Sequence, residues 1–106
     1  MDVRTPYQRG RSAEYTVKRM LQEMGYRWVI RSAASHSPID LLGSNGIETL
    51  AVQCKVGGYM SAMEKNTLIE WALKLNARPC LAKKNKNGRW MLLDVDADIL
   101  NLFEAA

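Results

Sequence analysis

Residues 38–55 read PIDLLGSNGIETLAVQCK, two short apolar runs separated by a turn signal. The runs at residues 39–43 and 48–55 alternate in part between apolar and polar side chains, which is typical of strands with one buried face. Between them stands Ser44-Asn45-Gly46, and an Asn-Gly pair tolerates the positive φ angles of a tight turn. The stretch therefore predicts an antiparallel β-hairpin that folds at Asn45 and Gly46.

A helix is predicted ahead of this hairpin, because apolar residues recur at helical spacing up to Gly25, a typical C-terminal residue of a helix. These apolar residues are Ala13, Val17, Met20, Leu21 and Met24. Two starts remain open: Thr5-Pro6-Tyr7-Gln8 resembles a capping box, whereas Gly10 favours a start near Ser12. Glu14 is helical with either start.

The remaining segments complete an α/β domain. Residues 26–31 predict a strand, and residues 32–37 a polar loop. A second capping box at residues 61–64 opens a helix that runs to about Asn76. Strands at residues 80–82 and 90–95 then flank a basic turn at residues 83–89. The expected order is α-β-β-β-α-β-β, a central mixed sheet flanked by helices, with a short helix from Asp96.

Composition narrows the class of protein. The 106 residues allow one domain, and the net charge of +4 with a pI near 9.3 suits a polyanionic partner. Two cysteines and one histidine provide neither a disulfide framework nor a zinc site. No apolar run approaches the roughly 20 residues that span a bilayer, and no signal peptide is recognisable. We therefore expect an intracellular, cytoplasmic protein without a membrane partner or an organic cofactor.

The hairpin also brings chemically functional side chains together. Folding at the Asn-Gly turn brings Asp40 and Gln53 close on neighbouring strands, and strand alternation puts Gln53 and Lys55 on one face. Carboxylate and amide oxygens suit Mg²⁺, while an ammonium group can offset charge on a phosphate undergoing hydrolysis. Glu14 would complete the ligand set if the first helix packs beside the hairpin. On its own, Glu14 would be interpreted as a surface carboxylate paired with Arg11 or Lys18.

This arrangement resembles the PD-(D/E)xK nuclease superfamily, with PID as its first motif and QCK as its second. Residues 9–42 read RGRSAEYTVKRMLQEMGYRWVIRSAASHSPIDLL and are similar to the archaeal-type Holliday junction resolvases. The likeness extends over about residues 9–55. It implies a restriction-endonuclease-like core, a single nuclease domain over residues 1–106, and Mg²⁺-dependent cleavage of branched DNA, with Mn²⁺ as an alternative ion.

Site residues follow from the resemblance position by position. The implied metal ligands are Glu14, Asp40 and Gln53. Lys55 becomes the catalytic lysine, Ser35 a loop serine near the scissile phosphate, and Arg31 a phosphate or active-site contact. Two residues depart from the family pattern: Gln53 stands where an acidic residue is usual, which weakens metal binding, and Tyr15 stands where Arg is frequent.

DNA contacts and a dimer are further expectations. Arg9, Arg11 and Lys18 lie on or before the first helix and form, with Arg31, the expected phosphate-binding set. His36 is left out of the catalytic set, because a lone histidine in a polar loop is common. The second helix is apolar on two faces, with Met60 and Met63 at its entrance, and this favours a homodimer whose two active sites cut two equivalent strands of a four-way junction.

Two alternatives remain. Mrr-like restriction endonucleases also carry a QxK motif and cut ordinary duplex DNA, although they normally add a separate DNA-reading domain for which 106 residues leave no room. A non-catalytic DNA-binding module of the same fold is the second alternative.

Overall fold

The computed structural model describes residues 6–32, 37–57, 59–96 and 100–105, with side chains described for 11–32, 37–57 and 59–96. These residues form the helices α1 (Pro6–Glu23) and α2 (Ala62–Lys74), and the strands β1 (Trp28–Arg31), β2 (Leu41–Ser44), β3 (Thr49–Val56), β4 (Arg78–Lys84), β5 (Trp90–Asp94) and β6 (Leu100–Ala105). The expected order α-β-β-β-α-β-β is confirmed and extended by β6. No helix in this described part is long and apolar enough to span a membrane.

The strands form one mixed sheet in the order β1-β2-β3-β4-β5-β6. Neighbouring strands pair antiparallel except β3 and β4, which are parallel and are connected through α2. A parallel pair needs such a crossover, because its strands must be re-entered from the same end. As a result, the C-terminal ends of β3 and β4 lie side by side, and Lys55 is the register partner of Lys83.

The β2–β3 hairpin folds at the predicted turn. Gly46 adopts a φ of 92°, and the Asn45 side-chain oxygen accepts hydrogen bonds of 2.8 Å from the N–H groups of Ile47 and Glu48. Both features are the turn chemistry for which Asn-Gly is selected. The turn fixes the register, which pairs Leu41 with Val52.

The two helices pack on opposite faces of the sheet. Val17 and Leu21 of α1 belong to one core cluster with Val52, whereas Leu68 of α2 belongs to a second cluster with Ala51. Because consecutive residues of a strand point to opposite faces, these two clusters must lie on the two sides of β3. Leu21 and Leu68 are fully buried, and each such side chain contributes about 1.5–3 kcal/mol to folding.

Helix ends agree with the turn and capping signals. α1 begins at Pro6, not near Ser12, because proline fits the first helical position and Gly10 is accommodated inside the helix. Gly25 follows α1 with a φ of 103°, a conformation that favours glycine. Ser61 and Glu64 form the predicted capping box at the start of α2.

The chain after β5 differs from expectation. A short helix from Asp96 was expected, and this expectation is wrong: Leu100–Ala105 forms β6, which pairs antiparallel with β5. The β5 edge offers unpaired backbone N–H and C=O groups, and pairing satisfies them along a whole strand. β4 is also longer than expected, since it starts at Arg78 and continues to Lys84.

Candidate active site

Asp40 is fixed between two residues of β3. Its backbone N–H donates to the Val52 carbonyl oxygen at 2.8 Å, and its Oδ2 accepts a hydrogen bond of 2.7 Å from the Cys54 N–H. These two bonds lie on either side of Gln53 in the chain, so Asp40 stands opposite Gln53 across the hairpin. The sequence predicted this juxtaposition from the spacing of the turn.

Gln53 carries a polar atom without a partner. Its Oε1 is buried and accepts no hydrogen bond from the residues that the structure describes. Burying an amide oxygen without a partner costs about 1–3 kcal/mol, so such an atom is uncommon unless it binds something absent from the protein itself. By strand alternation, Gln53 faces the α2 side of the sheet, as Lys55 does.

Lys55 is held by an acidic residue that the sequence did not single out. Its Nζ lies 2.7 Å from Oε2 of Glu64, in the first turn of α2. The Lys55 side chain is about one quarter exposed, so its position is set by this contact and not by free solvation. The capping box had identified Glu64 as a helix-start residue, but that local signal carries no information about a partner on β3.

Glu14 reaches the site from the other face of the sheet. Its Oε1 accepts a hydrogen bond of 3.1 Å from Nη1 of Arg31 at the end of β1. Both side chains are partly buried, at 19% and 27% exposure, which makes this more than a solvated surface pair. Glu14 therefore contacts a second residue of the expected site. Its described partner is Arg31 on β1, and not Arg11 or Lys18 on its own helix.

Electrostatic interactions link Asp40 to Glu14 and to Lys55. Burial raises the pKa of Asp40, and the nearby Glu14 carboxylate raises it further, while the Cys54 N–H bond and the Lys55 ammonium act in the opposite direction. Burial, and then Asp40 and Glu14, also raise the pKa of the Cys54 thiol well above its usual value. Cys54 packs against the α1-side core, on the face of β3 opposite Gln53 and Lys55. Glu14 and Lys55 thus both act on Asp40, which stands opposite Gln53 across the hairpin.

Three expected DNA-binding residues converge on Tyr15, which sequence reasoning noted only as a departure. Arg11 Nη2 donates to the Tyr15 hydroxyl at 3.5 Å, and the guanidinium carbons of Arg11 and Arg31 lie 5.7 and 5.6 Å from the centre of its ring. The Arg11 hydrogen bond and the charges of Arg11, Arg31 and Lys18 lower the pKa of Tyr15. The i, i+4 spacing of Arg11 and Tyr15 was a usable signal.

Three residues named from the sequence have no described side chain. Ser35 and His36 lie outside the described residues, and Arg9 lies on α1 without a described side chain. Their predicted roles rest on the sequence alone.

The expected donor set consists of two carboxylates and one amide oxygen, which have the chemistry that suits a divalent ion. Among the residues described, no group of three His, Cys, Asp or Glu side chains lies together. The carboxylates of Asp40 and Glu14 therefore need the amide oxygen of Gln53 to make three protein ligands. That oxygen is the buried atom without a partner. Oxygen donors of this kind suit Mg²⁺.

A separate groove of about 450 Å³ lies at the opposite end of β3. Arg78 lies 3.6 Å from Glu48 and 3.6 Å from Asp94 there, and the Tyr26 hydroxyl donates to Glu48 at 2.7 Å. Burial and the bond to Glu48 raise the pKa of Tyr26 to about 12. These groups satisfy one another, so we interpret the groove as structural.

Similarity to known proteins identifies the family of this chain. The structure is similar to that of Hjc from Archaeoglobus fulgidus, described as a Holliday junction resolvase from an archaeal hyperthermophile, with a TM-score of 0.71 and 27% sequence identity over 83% of this chain and 74% of that chain. A model of the family "Archaeal Holliday junction resolvase (Hjc)" matches residues 5–101. Because that match spans nearly all of the sequence, the chain belongs to the archaeal Holliday junction resolvase family.

Proposed function

We propose that this protein is a divalent-metal-dependent endonuclease that resolves four-way DNA junctions by paired phosphodiester hydrolysis. Family membership implies a nuclease and supports branched DNA as the substrate. The observation that carries the proposal is the buried Gln53 Oε1, which has no hydrogen-bond partner among the described residues, on a residue opposite Asp40 and on the same strand as Lys55. A cation bound at that position would supply the partner that this buried oxygen otherwise lacks among the described residues.

The proposed roles divide among the residues as follows. Glu14, Asp40 and Gln53 hold Mg²⁺, for which Mn²⁺ is an alternative. When bound, the ion supplies an activated water and stabilises negative charge on the phosphate. Lys55, held by Glu64, presents its ammonium group to the phosphate and offsets the charge that develops in the transition state.

Arg31 and Ser35 complete the proposed site. Arg31 is tied to Glu14 by its 3.1 Å bond, so it both orients that carboxylate and places a guanidinium group beside the site. Guanidinium groups suit phosphates because their donors match the geometry of the phosphate oxygens. Ser35 is proposed to act near the scissile phosphate, on the strength of the resemblance alone.

We further propose a homodimer. An apolar groove of about 260 Å³ lies between α2 and the β1 edge, with Ile30, Trp71 and Leu75 in its lining. Trp28 and Ile30 extend this surface along β1 and are 63% and 65% exposed. A contiguous apolar surface of this kind is typical of a protein interface. A two-fold dimer would supply one active site for each of the two strands to be cut.

The substrate is tested by offering the wild-type protein a four-way junction, a linear duplex of the same sequence and a single strand, each with Mg²⁺. We expect cuts at paired, symmetric positions in the junction and little cutting of the other two substrates. Equal cutting of the linear duplex would contradict the proposal and favour the Mrr-like alternative. Junction binding without any cutting, with either Mg²⁺ or Mn²⁺, would favour the non-catalytic module.

A further inference from the structure

Tyr15 lies at the centre of a group of positive charges beside the candidate active site. The guanidinium groups of Arg11 and Arg31 both lie within 6 Å of its ring centre, and Lys18 acts on its hydroxyl electrostatically. The Tyr15 side chain is 48% exposed, so solvent or a ligand can reach the group. We define Arg11, Tyr15 and Arg31 as the arginine–tyrosine stack.

Holding two guanidinium groups on one ring requires an explanation, because like charges repel. The negative π-face of the ring attracts each cation, and this attraction is worth more where the groups are partly desolvated. Glu14 offsets the charge of Arg31 through its 3.1 Å bond. Among the described residues, the charged groups that act on the Tyr15 hydroxyl are Arg11, Arg31 and Lys18, and all three are positive.

Two guanidinium groups that are held side by side in a fixed geometry suit an anion with several oxygens. A phosphate of the DNA backbone has this chemistry, and guanidinium groups bind it through two donors at once. The stack also adjoins the active site, because Arg31 contacts both Tyr15 and Glu14.

We propose that Tyr15 is a positioning residue whose ring holds Arg11 and Arg31 as a clamp for a DNA backbone phosphate at the edge of the active site. This inference rests on the proposed function for its DNA ligand, and it assigns to Tyr15 a role that acts through the two arginines. The ring is the essential part, since both guanidinium groups lie over it, whereas the hydroxyl contacts only Arg11.

The test compares Tyr15→Leu, which removes the ring, with Tyr15→Phe, which retains the ring and removes only the hydroxyl. Dissociation constants for a four-way junction and for a linear duplex are measured without divalent metal at several salt concentrations. Loss of one phosphate contact makes the plot of log affinity against log salt shallower by about one unit. We expect Tyr15→Leu to show this change and to bind roughly 3- to 30-fold more weakly, whereas Tyr15→Phe stays near wild type.

The salt dependence separates the clamp from direct stacking of Tyr15 on a base. Stacking would give weaker binding by Tyr15→Leu with an unchanged salt slope, and that result would overturn the proposal. Unchanged affinity of Tyr15→Leu, or equal damage by Tyr15→Phe, would also overturn it. Melting temperatures close to wild type are expected for both variants because Tyr15 is half exposed, and they confirm that binding is compared between folded proteins.

Failure of the proposed function gives a different result. If wild type binds the junction no better than the duplex, the junction-specific function fails. The comparison of salt slopes on the linear duplex still decides whether Tyr15 organises a phosphate clamp.

Discussion

The ammonium group of Lys55 lies 2.7 Å from the carboxylate of Glu64, so the candidate catalytic lysine on β3 is anchored to the first turn of α2. The other carboxylate oxygen of Glu64 accepts a hydrogen bond of 3.1 Å from the Ser61 N–H. One side chain therefore defines where α2 begins and where Lys55 is held. The start of this helix and the geometry of the active site are coupled through Glu64.

Glu64→Gln should reduce junction cleavage by roughly 10-fold, a typical effect of removing a residue that orients a functional group. The amide oxygen can still accept from Ser61, so Glu64→Ala should melt at a lower temperature than Glu64→Gln because it also loses the cap. Cleavage rates and thermal unfolding measure both effects. Glu70→Gln, an exposed change on the same helix, is the control.

The contact between Lys55 and Glu64 predicts a pH dependence of stability. The Lys55 hydrogen bond, followed by the Ser61 N–H, lowers the pKa of Glu64. The stabilisation by this contact is therefore present above the usual pKa of a carboxylate. It is lost as the pH falls through the lowered pKa of Glu64. The difference in melting temperature between wild type and Glu64→Gln should shrink on acidification, and a difference that persists at pH 2 would contradict the assignment.

Asp40→Asn should make the metal-free protein more stable at neutral pH. Because burial raises the pKa of Asp40, the folded state binds its proton more tightly, and wild-type stability falls as the pH rises above the usual carboxyl value. Asn can still accept the hydrogen bond from the Cys54 N–H. The advantage of Asp40→Asn should narrow towards about pH 4, where the usual Asp pKa lies.

Denaturant unfolding between pH 4 and 8 in EDTA measures this difference. Asp96→Asn, at an exposed aspartate, provides the control and should show little effect. Mg²⁺ should stabilise wild type and not Asp40→Asn. Lower stability of Asp40→Asn at neutral pH would show that the carboxylate serves the fold and not the ion.

Gln53→Met replaces the Gln53 amide with an apolar side chain of similar length. Removal of this buried oxygen, which has no partner in the described part of the chain, should raise the metal-free free energy of unfolding by about 1 kcal/mol. Mg²⁺-dependent cleavage should be lost, and so should the thermal stabilisation by Mg²⁺. A variant that is destabilised without metal and still active would contradict the role of Gln53 as a metal ligand.

Gln53→Glu is the complementary variant. A third carboxylate beside Asp40 and Glu14 should lower the Mg²⁺ concentration needed for half-maximal cleavage, since more negative charge faces the ion. Without metal the three carboxylates repel one another, so this variant should melt at a lower temperature than wild type. A Mg²⁺ titration of cleavage and of melting temperature measures both.

The sequence was most informative where local chemistry decides the structure. Asn45-Gly46 predicted the β2–β3 turn, and that turn placed Asp40 opposite Gln53. Ser61 and Glu64 predicted the start of α2. In each case the determining contacts lie within a few residues or across one tight hairpin, which is the range over which side-chain spacing carries information.

Contacts between distant segments could not be predicted from local sequence in the same way. Glu14 had helix neighbours as candidate partners, but its hydrogen bond goes to Arg31 on β1. Lys55 contacts Glu64, and Tyr15 lies under Arg31. The pairing of β6 with the edge of β5 likewise overrode a helical interpretation of the C-terminal segment, because strand pairing depends on a neighbour that the local sequence does not contain.

Trp71→Glu should weaken the proposed dimer. Trp71 is 42% exposed and lines the apolar groove beside Ile30, so a carboxylate there would be desolvated in an interface. Leu73→Glu is the matched control, because Leu73 is exposed on α2 but lines the groove at the opposite end of β3. Sedimentation equilibrium should give a monomer for Trp71→Glu only. A wild-type monomer at all concentrations would exclude the dimer.

Cleavage of a four-way junction by wild type and Lys55→Met, at saturating Mg²⁺ and with junction binding measured in parallel, tests the proposed active site most directly. We predict that Lys55→Met binds the junction as tightly as wild type, within about threefold, and cuts it at least about 100-fold more slowly, since one group that stabilises transition-state charge is worth about that much. A Lys55→Met protein that cuts paired strands at the wild-type rate would place the chemistry elsewhere and contradict the account.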